Sequence, residues 1–89
     1  MNMFYTYVLQ SQKSDNLYTG YINDLRKRFK EHNEEKFGYT KDRGPYNLIY
    51  YEACLNQEDA KSRELYLKTG KGKRYLKYRL KRFLSRTNC

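Results

Sequence analysis

Eighty-nine residues allow one small domain, 1–89, with no room for a separate specificity domain. The two cysteines, Cys54 and Cys89, cannot build a disulfide framework, and no apolar run is long enough for a signal peptide or a membrane span, so a reducing, cytoplasmic setting is expected and a membrane partner is not. Residues 1–67 hold ten Lys/Arg and ten Asp/Glu, so the whole net charge of +9 falls in residues 68–89, an asymmetry that points to a polyanion ahead of a merely solvated basic helix.

Residues 3–10, MFYTYVLQ, are β-branched and aromatic with period two. Phe4, Thr6 and Val8 share one face, and Tyr5, Tyr7 and Leu9 the other. Both faces are largely apolar, which predicts a central strand covered on each side. The polar stretch 11–16, SQKSDN, returns the chain antiparallel into Leu17–Tyr21, giving a hairpin. Gly20 is read as a supporting turn, or as a place where another group approaches closely.

Asn23 is the expected N-cap of a first helix, with Asp24 at its positive end. Leu25, Arg28, Phe29 and His32 are spaced i, i+3, i+4, i+7 and share one face. Leu25 and Phe29 turn that face to the core, so Arg28 and His32 look inward and need partners. Arg26, Lys27, Lys30, Glu31 and Glu34 form the wet face. The helix fades over 33–36, and 36–46, KFGYTKDRGPY, reads as an exposed loop bearing Tyr39, Thr40, Lys41 and Arg43.

A third strand is expected over 47–52, NLIYYE. Asn56 caps a second helix, with Asp59 in a capping-box-like position. Ala60, Glu64 and Leu67 lie on one stripe, so Glu64 also points inward. Gly70 and Gly72 are expected to end this helix. A basic C-terminal helix over about 73–85 has Leu76, Leu80, Phe83 and Leu84 on one side and Lys/Arg on most of the rest. The order β-β-α-β-α-α gives a small α/β (α+β) domain: a three-stranded, mainly antiparallel sheet covered by three helices.

Tyr5, Tyr7, Tyr18, Arg28, His32 and Glu64 can therefore converge on one cleft. Tyrosine, arginine, histidine and one carboxylate suit phosphodiester hydrolysis. A single carboxylate can hold a divalent ion that keeps several waters, and an arginine fork matches two phosphate oxygens. A tyrosine could take the proton from water, either Tyr7 or Tyr18. Other readings remain open: Arg28 and Glu64 paired as a structural bridge, His32 as a core or helix-end residue, and the tyrosines as plain core.

These residues resemble the GIY-YIG nucleases, especially single-domain members similar to the N-terminal nuclease module of the bacterial excision-repair C subunit. The first signature corresponds to Tyr5-Thr6-Tyr7 and the second to Tyr18-Thr19-Gly20. The resemblance spans residues 3 to about 75. It implies the GIY-YIG fold, Arg28 as catalytic arginine, His32 as the helix histidine and Glu64 as ligand of Mg2+ or Mn2+. Tyr7 and Tyr18 become the phenol pair. Two departures stand out: only the final tyrosine of the first motif is kept, and Tyr21 follows the second motif where repair-type members often carry lysine.

The resemblance implies a metal-dependent endonuclease acting on DNA. One small domain has little surface for sequence readout, so a preference for branched or damaged DNA over a long site is expected, or reliance on a homodimer or a protein partner for specificity. Tyr39, Lys41, Arg43, Lys71, Lys73, Arg74 and Lys77 are the expected phosphate contacts, with a plain solvated loop as the other reading of Tyr39, Lys41 and Arg43. The alternatives are a nucleic-acid-binding module of the same fold without useful catalysis, and a protein-interaction domain with an incidental basic tail.

Overall fold

A computed structural model describes residues 3–34 and 44–86, apart from the side chains of His32 and Arg86. Three strands, β1 (Phe4–Ser11), β2 (Leu17–Ile22) and β3 (Tyr46–Cys54), form one sheet of order β2-β1-β3. Both pairings are antiparallel. β1 is the central strand that its two apolar faces required. Helix α1 (Leu25–Asn33) follows β2, and α2 (Gln57–Leu67), α3 (Gly70–Arg79) and α4 (Lys81–Arg86) follow β3.

The alternation along β1 divides the core in two. Tyr7 and Leu9 pack with Tyr46 against Tyr18, Ile22, Leu25, Phe29 and Leu48, which is the α1 face. Val8 packs with Leu67 and Leu76 on the opposite face, under α2 and α3. On that face the Thr6 hydroxyl donates to the Ala60 carbonyl at 2.9 Å, fastening α2 to the central strand. A register shift between Val8 and Leu9 skips one β3 residue, so Leu48 joins the first cluster while Ile49 and Tyr50 both join the second.

Four local expectations change. Gly20 is not in a turn. It lies inside β2, paired with Tyr7, and β2 runs on to Ile22. The cap of α1 is Asp24 rather than Asn23: its Oδ1 accepts the Lys27 N–H at 3.1 Å, three residues ahead. Glu31 is half-buried and turned to Arg28, not part of the wet face. The basic C-terminal helix is two pieces meeting at Leu80, and Gly70 and Gly72 begin the first piece instead of ending α2.

Thr69 explains the last change. Its hydroxyl donates to the Tyr66 carbonyl at 2.6 Å and accepts the Gly72 N–H at 3.1 Å, so one side chain closes α2 and caps α3. Gly72 sits so close to the end of α2 that a β-carbon on it would stand 2.5 Å from Leu67 Cα. The tight corner needs a residue without a side chain. The Asn56 cap of α2 is as expected, accepting the Asp59 N–H at 3.1 Å.

Two further ties fix the frame. Asn33, at the end of α1, accepts the Tyr46 N–H at 2.6 Å and donates to the Tyr46 carbonyl at 3.2 Å, anchoring the start of β3. Arg63 on α2 grips Glu52 on β3 through Nε and Nη2, at 3.0–3.1 Å. The Arg63 guanidinium also lies 5.2 Å from the Tyr66 ring and 4.8 Å from the Tyr75 ring.

Candidate active site

β2 is an edge strand, so side chains from both faces of the sheet can meet along its border. Tyr7, Tyr18, Gly20 and Ile22 belong to the α1 face by strand alternation, and Phe4 and Tyr21 to the other. All six line one open pocket of about 450 Å³, together with Asn23, Arg28, Gln57 and Glu64. Arg28 comes from α1 and Glu64 from α2, helices on opposite faces. Of the five expected catalytic residues, Tyr7, Tyr18, Arg28 and Glu64 are thus brought together. His32 falls in α1, one turn beyond Arg28, with its side chain outside the described atoms.

The two phenols are diagonal neighbours across β1 and β2, with ring centroids 6.5 Å apart and planes tilted by 42°. Tyr7 is 1% exposed, whereas Tyr18 is half-buried. Gly20 makes that arrangement possible. The Tyr7 ring lies across it, and a β-carbon there would stand 2.5 Å from the Tyr7 hydroxyl. No glycine has a positive φ among the described residues, so Gly20 is needed for close approach and not for a turn.

Burial pushes the Tyr7 phenol well above the ordinary tyrosine value. The neighbouring Tyr18 and the carboxylates of Glu64 and Glu31 push it the same way, and Arg28 alone pulls it down. Tyr7 therefore keeps its proton in the resting protein.

Arg28 and Glu64 do not pair with each other. Arg28 Nε lies 3.8 Å from Glu31, one turn on, and its side chain is 28% exposed. Glu64 is 18% exposed and accepts from Lys68 Nζ at 2.9 Å. The open reading of an Arg28–Glu64 structural bridge is excluded by that pairing. Each charge has a local partner on its own helix and still faces the pocket.

Among the described residues, no group of three or more His, Cys, Asp or Glu gathers at one point. Glu64 is thus a lone carboxylate beside a pair of phenols. Such a set suits an ion that keeps several waters and takes oxygens from a substrate, and does not suit a four-ligand structural zinc.

Three pocket neighbours escaped the sequence reading. Lys68 was legible as an i+4 partner of Glu64. Gln57, which donates to the Tyr21 hydroxyl at 3.2 Å, joins α2 to β2 and had no local signal. Phe4 was read only as strand core. Tyr21, the residue after the second motif, has a cation over its ring: Lys61 Nζ stands 5.7 Å from its centroid. Of the expected phosphate contacts, Lys71, Lys73, Arg74 and Lys77 lie on α3, and Tyr39, Lys41 and Arg43 fall outside the described residues. No helix among the described residues is long and apolar enough to cross a membrane.

Residues 3–79 match the GIY-YIG catalytic domain. A UPF0213 protein of Clostridium perfringens is 46% identical over 67 residues, covering 74% of this chain and 71% of its own. A UPF0213 protein of Pediococcus pentosaceus is 41% identical over 90 residues, covering 99% and 93%. The solution NMR structure of a UPF0213 protein from Bacillus halodurans matches with a TM-score of 0.52 and 32% identity, over 83% of this chain and 81% of that one. The chain belongs to the GIY-YIG catalytic domain family, a family of nucleases.

Proposed function

We propose that this protein is a divalent-metal-dependent endonuclease that hydrolyses DNA phosphodiester bonds, choosing branched or damaged structure rather than a long sequence. The supporting observation is the convergence of two phenols, one guanidinium and one carboxylate, from four elements, on a single open pocket. A domain of this size has little surface with which to read a site.

Each residue has a distinct task. Arg28 offers its fork to two non-bridging phosphate oxygens and offsets the charge that grows in the five-coordinate state. Tyr7, held protonated by burial, donates a hydrogen bond that orients the reacting phosphate or the attacking water. Tyr18, at the more open side of the pocket, is the phenol that would ionise and, as phenolate, take the proton from that water. His32 assists from the next turn of α1, by hydrogen bonding or as a base. Glu64 holds Mg2+ or Mn2+. When bound, the ion withdraws charge from a phosphate oxygen and lowers the pKa of a water. The Lys68 pair with Glu64 is half open to solvent, worth at most about 1 kcal/mol, and gives way readily. Tyr39, Lys41, Arg43 and the lysines and arginines of α3 steady the backbone.

The test is incubation with supercoiled, branched and single-stranded DNA, with and without Mn2+, alongside Arg28→Ala and Glu64→Ala. Cutting that needs metal and is abolished by both changes is the expected result. Salt-sensitive binding with no cutting on any substrate would overturn the enzyme and leave a binding module.

A further inference from the structure

A second groove, of about 820 Å³, begins where the pocket ends. Tyr18 lines both. Lys68 lies in this groove while its ammonium reaches Glu64, which lines the pocket. From there the groove runs between the free border of β2 and α3, over Leu17, Leu67 and Leu76, with Lys73 and Lys77 along its side. Lys77, Leu17 and Asp15 are shared with a further cleft that ends at Lys81 and Leu84 on α4. The three hollows form one trough along an open sheet edge.

The trough has an apolar floor and a basic rail. Lys73 and Lys77 are four residues apart, a rise of about 6 Å on an α-helix, or roughly two phosphate steps of a duplex strand measured along its axis. Both are exposed, and among the described residues neither has a carboxylate within ion-pair distance. Lys81 is held over the Tyr78 ring at 4.9 Å. A solvated basic helix needs neither the floor nor this alignment. Lys71 and Arg74, equally charged members of α3, do not line the trough. Among the described residues, the one acidic residue lining the groove is Asp15, fixed in the β1–β2 turn with φ of 62°.

We infer that this trough carries the sugar–phosphate backbone of a nucleic-acid strand away from the pocket, with Lys68, Lys73, Lys77 and Lys81 as its phosphate contacts and Asp15 as a built-in brake on affinity. The inference rests on the nucleic-acid part of the reading above and is independent of cleavage. An acidic protein segment is the competing occupant, and the test separates the two.

The experiment is fluorescence anisotropy of a short labelled oligonucleotide, and of its duplex, over a range of salt. Lys73→Gln/Lys77→Gln/Lys81→Gln is compared with Arg26→Gln/Lys30→Gln/Arg82→Gln, which removes the same charge outside the trough. The trough variant should bind roughly tenfold more weakly, with the slope of log K against log salt smaller by about 2 to 3. The control should lose much less. Asp15→Asn should bind more tightly, a gain that no folding defect can mimic. Equal losses in the two triple variants, with no gain from Asp15→Asn, would overturn the trough and leave general charge attraction. Absence of binding by the unmodified protein, with retention of poly-glutamate instead, would overturn the nucleic-acid occupant altogether.

Discussion

The Tyr7 phenol lies directly across Gly20: a β-carbon on that glycine would stand 2.5 Å from the hydroxyl oxygen and 2.7 Å from Cζ. The two residues are also register partners in β1 and β2. The second motif's glycine is therefore a seat for the first motif's tyrosine. Gly20→Ala should destabilise the fold by about 1–3 kcal/mol, because Tyr7 must move within a packed cluster. The penalty should shrink when Tyr7→Phe removes the nearest atom. A double-mutant cycle by chemical denaturation checks the coupling, and additive penalties would contradict it.

Alkaline pH should expose the same burial. The Tyr7 phenol titrates higher folded than unfolded, because burial disfavours its ionised form. Below the ordinary phenol value of about 10 the contribution is fully present, and it is lost as pH rises toward the folded value. Between those limits the unfolded chain has released a proton that the native chain retains. Stability should then fall with pH by about 1.4 kcal/mol per unit for this one group. Tyr7→Phe should flatten the fall by that amount. Equal slopes for the two proteins would contradict the assignment.

Glu64→Gln separates folding from function. It removes an exposed i,i+4 pair with Lys68, so thermal stability should change by no more than about 0.5 kcal/mol. Metal-stimulated cutting should disappear, and the heat of Mn2+ binding measured by titration calorimetry should go with it. Retained ion binding would place the metal elsewhere.

Arg63 has the opposite profile. It grips Glu52 with two nitrogens between the Tyr66 and Tyr75 rings, away from the pocket. Arg63→Lys keeps the charge and loses the fork and the stacking. It should cost about 1 kcal/mol in unfolding experiments, while cleavage below the melting transition stays unchanged. A loss of cleavage without a loss of stability would bring Arg63 into the site.

The features readable from sequence were those carried by local periodicity. Period-two alternation with two apolar faces makes β1 central, and helical spacing, i, i+3, i+4 around Arg28 and i, i+4, i+7 around Glu64, turns each inward. The misses come from contacts between elements and from choices within α1. Gly20 reads equally as a turn or a close approach, because nothing local shows the Tyr7 ring above it that decides for the second. Gly70 and Gly72 looked like a helix end because glycine serves both ends of a corner, and only the closeness of Leu67 decides between them. The Asn23 and Asp24 caps differ by one residue, and either side chain suits the role. Glu31 stands three residues after Arg28, so their pairing is legible in the spacing, and the wet-face reading passes over it.

Single-turnover cleavage by Arg28→Ala, Glu64→Gln and the double variant, each with a normal melting curve, tests the shared pocket most directly. Each single change should slow cutting by about 10² to 10³ or more, and the double variant should be little worse than either, because the two groups act on one phosphate. Metal-dependent cutting that survives the double change at the unmodified rate would contradict the account.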